Sequence, residues 1–331
     1  MKSKNVTLAD IAKELGISKN AVSLALRNKE GVSRELRERV MAKANEMHYQ
    51  TVSKMQGCIL ALIPQRYTGA GSIFYHRLCF EMEAYAASLG YQLIISSVSE
   101  AAEAQCQEPY MLSAARNQGI ISIGNLSRDY CRMLQNLHLR YVMADQYYED
   151  ILVDSVTTAN TSGAYLLTTH LIENGHRAIQ FLGAVHRTSS LEDRWIGFRR
   201  ALHDHDLPIL SNSLLQDRDC ETETPERICR ALDSMDELPS AFVCGNDSVA
   251  HNLILELEKR GFHCPQDVSV VGFDNVETYD VLSHDLTTNA TPSTGIAHAA
   301  IDLLKEDSAS PRRIQLLGRP IYRSSVRRME G

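Results

Sequence analysis

The chain has 331 residues, 44% hydrophobic and 23% charged, which is typical of a soluble globular protein with two or three domains. No stretch approaches the roughly 18 apolar residues of a membrane helix, and acidic residues interrupt the apolar run that a signal peptide needs, so we expect a cytoplasmic protein. The eight cysteines include no C-x-x-C pair, which favours packed thiols over disulfides or zinc ligands.

The net charge of −7 is distributed unevenly along the chain. Residues 1–56 hold 11 Lys/Arg and 6 Asp/Glu, a balance of +5, whereas the remaining 275 residues hold 23 and 35, a balance of −12. A small basic segment ahead of an acidic body indicates contact with a polyanion. Charge alone does not exclude the alternative that these basic residues simply form the solvated surface of helices.

The basic segment has the pattern of short helices. In "TLADIAKELG", Thr7 is the expected N-cap, Asp10 completes a capping box, and Gly16 ends the helix. A second helix begins at Ser18 in "SKNAVSLALRN", and "RELRERVMAKANEMHY" forms a third. Two short helices joined by a tight turn and braced by a third make a helix-turn-helix, so we predict this all-α domain over residues 1–49.

The second helix of such a unit lies in the major groove with its N-terminal residues on the base edges. Lys19 can reach guanine, Asn20 can make a bidentate pair with adenine, and Leu24 offers an apolar contact to a thymine methyl. Ser23 and Arg27 are expected near phosphates. The predicted DNA-binding set is completed by Thr7, Ser18, Ala21, Asn28 and Met55. The alternative for this second helix is that it belongs to a helical bundle that does not bind DNA.

The segment "TLADIAKELGISKNAVSLALRNKEGVSRELRERVMAKANEMHY" resembles the DNA-binding domain of the lactose-repressor (LacI/GalR) family. It follows the family pattern T-x-x-D-[IV]-A-x-x-x-G-[IV]-S-x-x-[TA]-V-S and the later V-S-x-x-[TL]-R-x-x-V almost without gaps. It departs at Arg27, where asparagine is usual, and at Leu24, where many members have a polar or basic residue. The resemblance implies sequence-specific binding to operator DNA.

The joint "HYQTVSKMQG" lacks a segment that the family usually has. In the family, a Y-x-P-N…A-R-S-L segment folds into a hinge helix on DNA and inserts a leucine into the minor groove. Residues 50–56, the predicted linker, allow at most about two helical turns, and Met55 is the only bulky apolar side chain available as a wedge. We therefore expect weak kinking of the operator.

From Gly57 onward, predicted strands and helices alternate. The strands are "CILALIP", "YQLIISSV", "GIISIGN", "RYVMAD", "AIQFLGA", "SAFVCGN" and "VSVVGFDN", and helices between them include segments around 103–117 and 128–138. This alternation of strands and helices predicts an α/β body of two doubly wound parallel-sheet lobes. The expected bounds are 57–331 for the body, about 57–157 and 289–315 for lobe 1, and about 158–288 and 316–331 for lobe 2.

Ligands of doubly wound sheets bind beyond the carboxyl ends of the strands, so residues there are site candidates. Asp145 follows "YVMA", Asn246 and Asp247 follow "AFVCG", Asp274 follows "SVVGF", and Arg194 opens a helix after "FLGA". Taken singly, each is more simply a helix cap or a loop residue that bonds to its own backbone. Asp247 in particular is expected to cap the helix "SVAHNLILELEKRG".

The body segments "THLIENGHRAIQFLG", "DRWIGFRRAL" and "CPQDVSVVGFDN" resemble the effector domain of the same family, whose fold is similar to type I periplasmic binding proteins for sugars. This resemblance implies effector contacts at Arg194, Asn246, Asp274 and Asp145, a cleft lining of Ser72, Phe74 and Tyr75, and an aromatic cover or core role for Trp195. The acid of the family's V-x-x-D-N-x-x-G-A is replaced by Ala159.

These patterns together predict a homodimeric repressor that binds operator DNA and responds to a small ligand. A sugar is the expected effector because its hydroxyls suit carboxylate, amide and guanidinium groups, while a purine is the alternative. No enzyme is expected, since G-x-G-x-x-G, G-x-x-x-x-G-K-[ST] and G-x-S-x-G are missing. A sugar-processing enzyme and a binding protein are weaker alternatives. We expect no cofactor, metal or membrane contact, with "HDHD" at 203–206 ending an exposed helix.

Overall fold

A computed structural model describes residues 6–26, 31–47, 57–69, 72–112, 117–210, 225–276, 285–306 and 308–329. The chain divides into two units, Met1–Gln56 and Gly57–Gly331. The predicted linker at 50–56 lies outside the described residues. Within the part that is described, no helix combines the length and the apolar character needed to cross a bilayer.

The described part of the first unit contains the helices α1 (Leu8–Leu15), α2 (Lys19–Leu26) and α3 (Arg34–Glu46). Thr7 caps α1, because its Oγ1 accepts from the Asp10 amide at 3.4 Å and Oδ2 of Asp10 accepts from the Thr7 amide at 2.8 Å. Gly16 ends α1 with a φ of 66°, where a side chain would be strained. Apolar residues of the three helices meet in one core. The predicted helix-turn-helix is confirmed.

The first lobe of the second unit is built on a six-stranded parallel sheet with the order β10-β5-β4-β3-β1-β2. Because neighbouring parallel strands need a crossover between them, helices flank both faces of this sheet. The strands are β1 (Gly57–Pro64), β2 (Tyr91–Val98), β3 (Asn117–Ile123), β4 (Tyr141–Ala144), β5 (Asp154–Thr158) and β10 (Arg313–Leu316). The helices are α4 (Ile73–Ser88), α5 (Glu100–Ala104), α6 (Arg128–Gln135) and α11 (Ser293–Lys305).

Side chains of successive strand residues point to opposite faces of this sheet, so a strand covered on both sides is apolar throughout. Ile59 of β1 belongs to the core formed with α4 and α11. The next residue, Leu60, belongs to the core on the opposite face, formed with α6. This two-sided burial explains the continuous apolar run "CILALIP".

The second lobe has a parallel sheet in the order β6-β7-β8, again with a core on each face. Phe181 packs in the core with α7 and α8, and Phe242 packs in the core with α9 and α10. The elements are β6 (Ile179–Leu182), β7 (Ala241–Cys244), β8 (Ser269–Val271), α7 (Asn160–Glu173), α8 (Ser189–Asp204), α9 (Pro225–Asp233) and α10 (Asp247–Lys259). The predicted pair of doubly wound parallel-sheet lobes is confirmed.

The chain passes between the lobes at three places in the described residues. It leaves β5 for α7, returns from β9 (Thr288–Ala290) to α11, and leaves β10 for β11 (Arg319–Ile321). The strands β9 and β11 pair with each other in antiparallel register, Asn289 opposite Pro320. These passages lie next to one another and form the junction between the lobes.

Two details differ from the sequence-based expectation. The helix expected around 103–117 is the short α5 followed by a 3-10 turn at Tyr110–Leu112, and residues 113–116 lie outside the described part. The strand β5 was not expected, because its sequence "DSVTT" is polar, yet Thr157 and Thr158 are fully buried between β4 and β10. An apolar-run criterion cannot detect a strand whose buried side chains carry hydroxyls.

Candidate functional site

The candidate DNA-reading surface is the N-terminal half of α2. Ser18, Lys19 and Asn20 are exposed, and Oγ of Ser18 accepts from the amide of Ala21 at 3.1 Å. Leu24 is half-buried, so less of its side chain is available to DNA than the sequence predicted. Of the remaining predicted contacts, Thr7 is exposed, while Ala21 and Ser23 are half-buried. Arg27, Asn28 and Met55 lie outside the described residues.

The candidate ligand site is a cavity of about 420 Å³ in the second unit, lined by residues of both lobes. It lies where the strands of the two sheets end, as the strand-end rule predicts for doubly wound folds. The structure brings together seven predicted residues in its lining: Ser72, Phe74, Tyr75, Asp145, Arg194, Asn246 and Asp274. Other polar lining residues, not predicted from the sequence, are Arg66, Asn125, Arg187, Thr188, Ser190 and Ser248. Asp247, a strand-end candidate that was expected to cap a helix, also lines the cavity.

Arg194 is the centre of the hydrogen-bond network on the second-lobe side. Its Nε donates to Oδ1 of Asn160 at 2.9 Å, its Nη1 to the Gly245 carbonyl at 2.6 Å, and its Nη2 to Oδ1 of Asp274 at 3.0 Å. Its guanidinium also lies over the ring of Phe273, 3.7 Å from the ring centroid. The rigid fork of an arginine suits such multiple donation, and it holds Asp274 in place.

Asp145 faces the cavity from the first lobe. It follows β4 with a φ of 65°, and Oδ2 accepts from the Tyr75 hydroxyl at 3.2 Å. Burial and, to a smaller extent, the charge of Asp274 raise the pKa of Asp145 to about 7, although Arg194 and the hydrogen bond from the Tyr75 hydroxyl oppose this rise. A non-glycine residue in the left-handed region is uncommon, and such backbone strain concentrates at binding sites.

Asn246 and Asp247 both line the cavity, and the helix cap that the sequence assigned to Asp247 belongs to Asn246. Asn246, not Asp247, is the N-cap of α10, because its Oδ1 accepts from the Val249 amide at 2.9 Å. Asp247 is the first residue of the helix, where its carboxylate accepts from the Thr288 hydroxyl at 2.6 Å and the Val276 amide at 2.8 Å. Burial raises the pKa of Asp247 to about 7, with a further contribution from Asp274. The cap assignment to Asp247 was wrong, and Asp247 lines the cavity instead.

The aromatic wall of the cavity belongs to the first lobe. Tyr67 and Tyr75 stack with ring centroids 4.3 Å apart, and Phe74 meets Tyr75 edge-on at 5.0 Å. Trp195 does not line the cavity. It is 8% exposed and packs against Phe181 and Phe198 in the second-lobe core, so Trp195 has the core role that the sequence left open and is not an aromatic cover of the cavity.

Hydrogen bonds connect the lobes, one of them between the lining residues Asn125 and Arg187. Nδ2 of Asn125 donates to the Arg187 carbonyl at 3.1 Å, and the Tyr147 hydroxyl donates to Oδ1 of Asp193 at 2.8 Å. Arg66 forms a buried ion pair with Glu103 at 2.8 Å and also donates to the Asn125 carbonyl. The lobes therefore approach each other around the cavity, and the contacts available to a ligand depend on this approach.

The unpredicted lining residues also follow strands. Arg66 and Tyr67 come directly after β1, and Arg187 and Thr188 come between β6 and α8. The same strand-end rule, applied to every strand, would have identified them. Across the described ranges, no group of three or more His, Cys, Asp or Glu side chains is placed to hold a metal ion. The "HDHD" segment ends α8 as predicted, with the His203 side chain 89% exposed.

Two family models match the chain. Residues 7–51 match bacterial regulatory proteins of the lacI family, and residues 168–326 match a periplasmic binding protein-like domain. These ranges correspond to the helix-turn-helix unit and to much of the second-lobe side of the body.

Similar proteins cover nearly the whole chain. The HTH-type transcriptional repressor PurR of Vibrio parahaemolyticus is 28% identical over 332 residues, covering 98% of this chain and 99% of that protein. PurR of Photobacterium profundum is 27% identical over 316 residues, covering 93% and 94%.

Among solved structures, the lac repressor dimer bound to operator and the anti-inducer ONPF aligns with a TM-score of 0.70 at 20% identity, covering 98% of this chain and 100% of that one. The transcriptional regulator CelR in complex with cellobiose aligns with a TM-score of 0.68 at 20% identity, covering 97% and 100%. These structural likenesses show the fold. The matching models and the fold together show a DNA-binding domain of the lacI family joined to a periplasmic binding protein-like body, and the chain is a DNA-binding transcriptional regulator.

Proposed function

We propose that this chain is a repressor whose affinity for operator DNA is controlled by a small molecule bound in the cavity between its two lobes. The observation that carries the proposal is the convergence of strand-end polar side chains from both lobes on one cavity, in a chain that also has a helix-turn-helix. A ligand that contacts both lobes alters their relative arrangement only if it binds one arrangement better than the other.

The proposed oligomer is a homodimer that binds a near-palindromic operator. A single α2 helix has few exposed polar residues at its N-terminal half, so one copy reads only a few base pairs. Two copies related by twofold symmetry would read two half-sites and double the contact. The fold shared with a dimeric lac repressor bound to operator supports this arrangement.

For the effector, we favour a purine-like compound over a sugar. The sequence resemblance pointed first to a sugar, but the curated relatives are repressors named PurR, which supports the purine alternative. The cavity is compatible with a flat ring, because the stacked Tyr67 and Tyr75 rings form an aromatic wall. Carboxylates and amides elsewhere in the lining can bond to ring nitrogens and their substituents.

A gel-shift assay on the DNA upstream of the protein's own coding region tests this function. We expect specific retardation by the full-length protein, and a shift in apparent affinity when adenine, guanine or hypoxanthine is added. Glucose and cellobiose serve as the sugar arm, and a thermal-shift measurement reports binding independently of DNA. A response to the sugars with none to the purines would return the assignment to the sugar class. An absence of specific retardation would contradict the regulatory function.

A further inference from the structure

Three carboxylates form one side of the ligand cavity, here called the acidic side: Asp145, Asp247 and Asp274. Asp145 is 8% exposed, Asp247 is 7% exposed, and the Asp274 side chain is 13% exposed. Each comes shortly after a strand end, Asp145 after β4, Asp247 after β7 and Asp274 after β8. The charge of Asp274 affects both other carboxyls, so the three lie within electrostatic reach of each other.

The protein gives these three carboxylates different hydrogen-bond donors, and an ion pair is found for Asp274. Asp274 is paired with Arg194 at 3.0 Å and also accepts from the Thr291 hydroxyl at 3.0 Å. Among the described residues, Asp145 accepts a side-chain hydrogen bond from Tyr75 at 3.2 Å, and Asp247 accepts from neutral groups. A carboxylate can accept about four hydrogen bonds, and burying its charge without sufficient donors is costly. The acidic side therefore has acceptor capacity that a ligand can use.

The backbone holds two of these groups toward the cavity at a local cost. Asp145 has a φ of 65° and Asp274 has a φ of 105°, both in the region that favours glycine. Strained residues of this kind persist where the surrounding structure requires their direction, and they cluster at ligand sites. The two strained carboxylates come from different lobes, so the acidic side is assembled from both.

Two of the three arginines in the cavity lining are already paired with carboxylates, among them Arg194 at the acidic side. Arg194 is paired with Asp274, and Arg66 is paired with Glu103 at 2.8 Å. Arg187 lies in the segment before α8, and it is the lining arginine for which no ion pair is found within the described residues. An anionic ligand group at the acidic side would therefore be repelled by three carboxylates, and the nearby Arg194 is already paired with Asp274.

From these observations we infer that the effector carries an amino nitrogen, neutral or protonated, whose N–H groups donate to the acidic side, and that it places no phosphate or carboxylate there. This inference rests on the proposed function and specifies the chemistry of the same site. The amino group would donate to Asp145 in the first lobe and to Asp274 or Asp247 in the second. A single ligand group would in this way join the two lobes.

Binding of an amino-bearing ligand should be coupled to the release of a proton from Asp145. The groups facing Asp145 are Tyr75 from α4, Arg194 from α8 and Asp274 after β8, and burial among them raises its pKa to about 7. A donor or cation placed against the carboxyl favours its ionised form, so binding expels a proton. The affinity for an amino-bearing ligand should therefore rise with pH between about 6 and 8. An anion would have the opposite dependence.

The test is a thermal-shift and calorimetric comparison on the full-length protein with matched probes. Glucosamine, glucose and glucose 6-phosphate share one ring and differ in charge, while 2-aminopurine and purine differ in one amino group. We expect the amino-bearing member of at least one set to bind at least tenfold more tightly than its unsubstituted partner. Asp145→Asn should reduce that preference at least tenfold, whereas Asp236→Asn, the same change at an exposed position outside the lining, should leave it unchanged.

Several results would overturn the inference. They are tighter binding of glucose 6-phosphate than of glucosamine, no binding by any amino-bearing probe, or an unchanged preference in Asp145→Asn. The gel-shift assay separates this failure from failure of the proposed function. A ligand without an amino group that changes operator affinity would leave the regulatory function intact and disprove only the amino requirement, whereas no specific operator binding would contradict the function itself.

Discussion

The guanidinium of Arg194 lies 3.0 Å from the carboxylate of Asp274, and this ion pair is bonded to two of the passages between the lobes. Arg194 donates to Asn160, where the chain enters the second lobe, and Asp274 accepts from Thr291, where the chain returns to the first. A ligand that draws on either member of the pair therefore acts directly on the junction. This gives a short physical path from the cavity to the relative arrangement of the lobes.

Asp274→Ala should lower the free energy of unfolding by about 3 kcal/mol, because it leaves the buried Arg194 guanidinium without its carboxylate. Urea unfolding followed by circular dichroism measures the change. Asp204→Ala is the matched control, since the Arg200–Asp204 pair is 3.9 Å apart and exposed. It should cost less than about 1 kcal/mol. Equal losses in the two variants would show that the buried pair has no special role.

The same pair should be required for the response to ligand. We expect Arg194→Ala or Asp274→Ala to abolish the effect of ligand on operator binding, while ligand-free operator binding stays nearly intact because the predicted DNA-binding residues of the helix-turn-helix lie in the other unit. Gel shifts with and without ligand measure both properties. Full ligand affinity in both variants would exclude this pair from the site. Joint loss of DNA binding would indicate a folding defect.

Stability should depend on pH through Asp145 and Asp247, whose pKa values are raised to about 7 by burial. The folded state then holds protons that the unfolded state has lost above about pH 4. Unfolding free energy should fall as pH rises from about 4 to 7, by up to about 1.4 kcal/mol per pH unit for each carboxyl. Chemical unfolding at several pH values should show a flatter dependence for Asp145→Asn. An identical slope would mean that Asp145 is ionised throughout.

Replacing Asn20 by Ala should weaken operator binding by roughly 1–3 kcal/mol and relax the preference at one base per half-site. Asn20 is exposed near the start of α2, where a recognition helix reads base edges. Selection of binding sites from a random DNA pool measures the preference. Affinity for unrelated DNA, which depends on phosphate contacts, serves as the control. An unchanged preference would argue against α2 as the reading helix.

The short joint before the body should contribute little discrimination at the operator centre. Its sequence lacks the family's hinge segment, and Met55 is its only bulky apolar side chain. Met55→Ala, or changed central base pairs, should each weaken binding less than tenfold, about 1.4 kcal/mol. Binding isotherms on operators with altered centres measure this. A larger loss in either case would reveal a functional wedge and disprove the prediction.

Local sequence signals were sufficient for most elements and for much of the cavity. Caps and apolar periodicity identified the helices of the first unit, because these signals act over a few residues. Apolar runs identified β1 to β4, since strands covered by helices are rich in apolar residues. The strand-end rule located the polar lining residues Asp145, Arg194, Asn246, Asp247 and Asp274, because topology places the ends of parallel strands at one edge. Ser72, Phe74 and Tyr75 came only from the family resemblance.

What the sequence by itself determined was therefore the resemblance to the family, the two kinds of unit and the edge of the sheets at which the cavity lies. Only the tertiary structure decided which side chains line the cavity. Arg194 lines it whereas its neighbour Trp195 does not, and both Asp247 and the capping Asn246 line it. The tertiary structure also paired Arg66 with Glu103 and buried the polar β5. Caps and periodicity depend on neighbouring residues, whereas burial of a polar group and choice of its partner depend on distant segments that close over it.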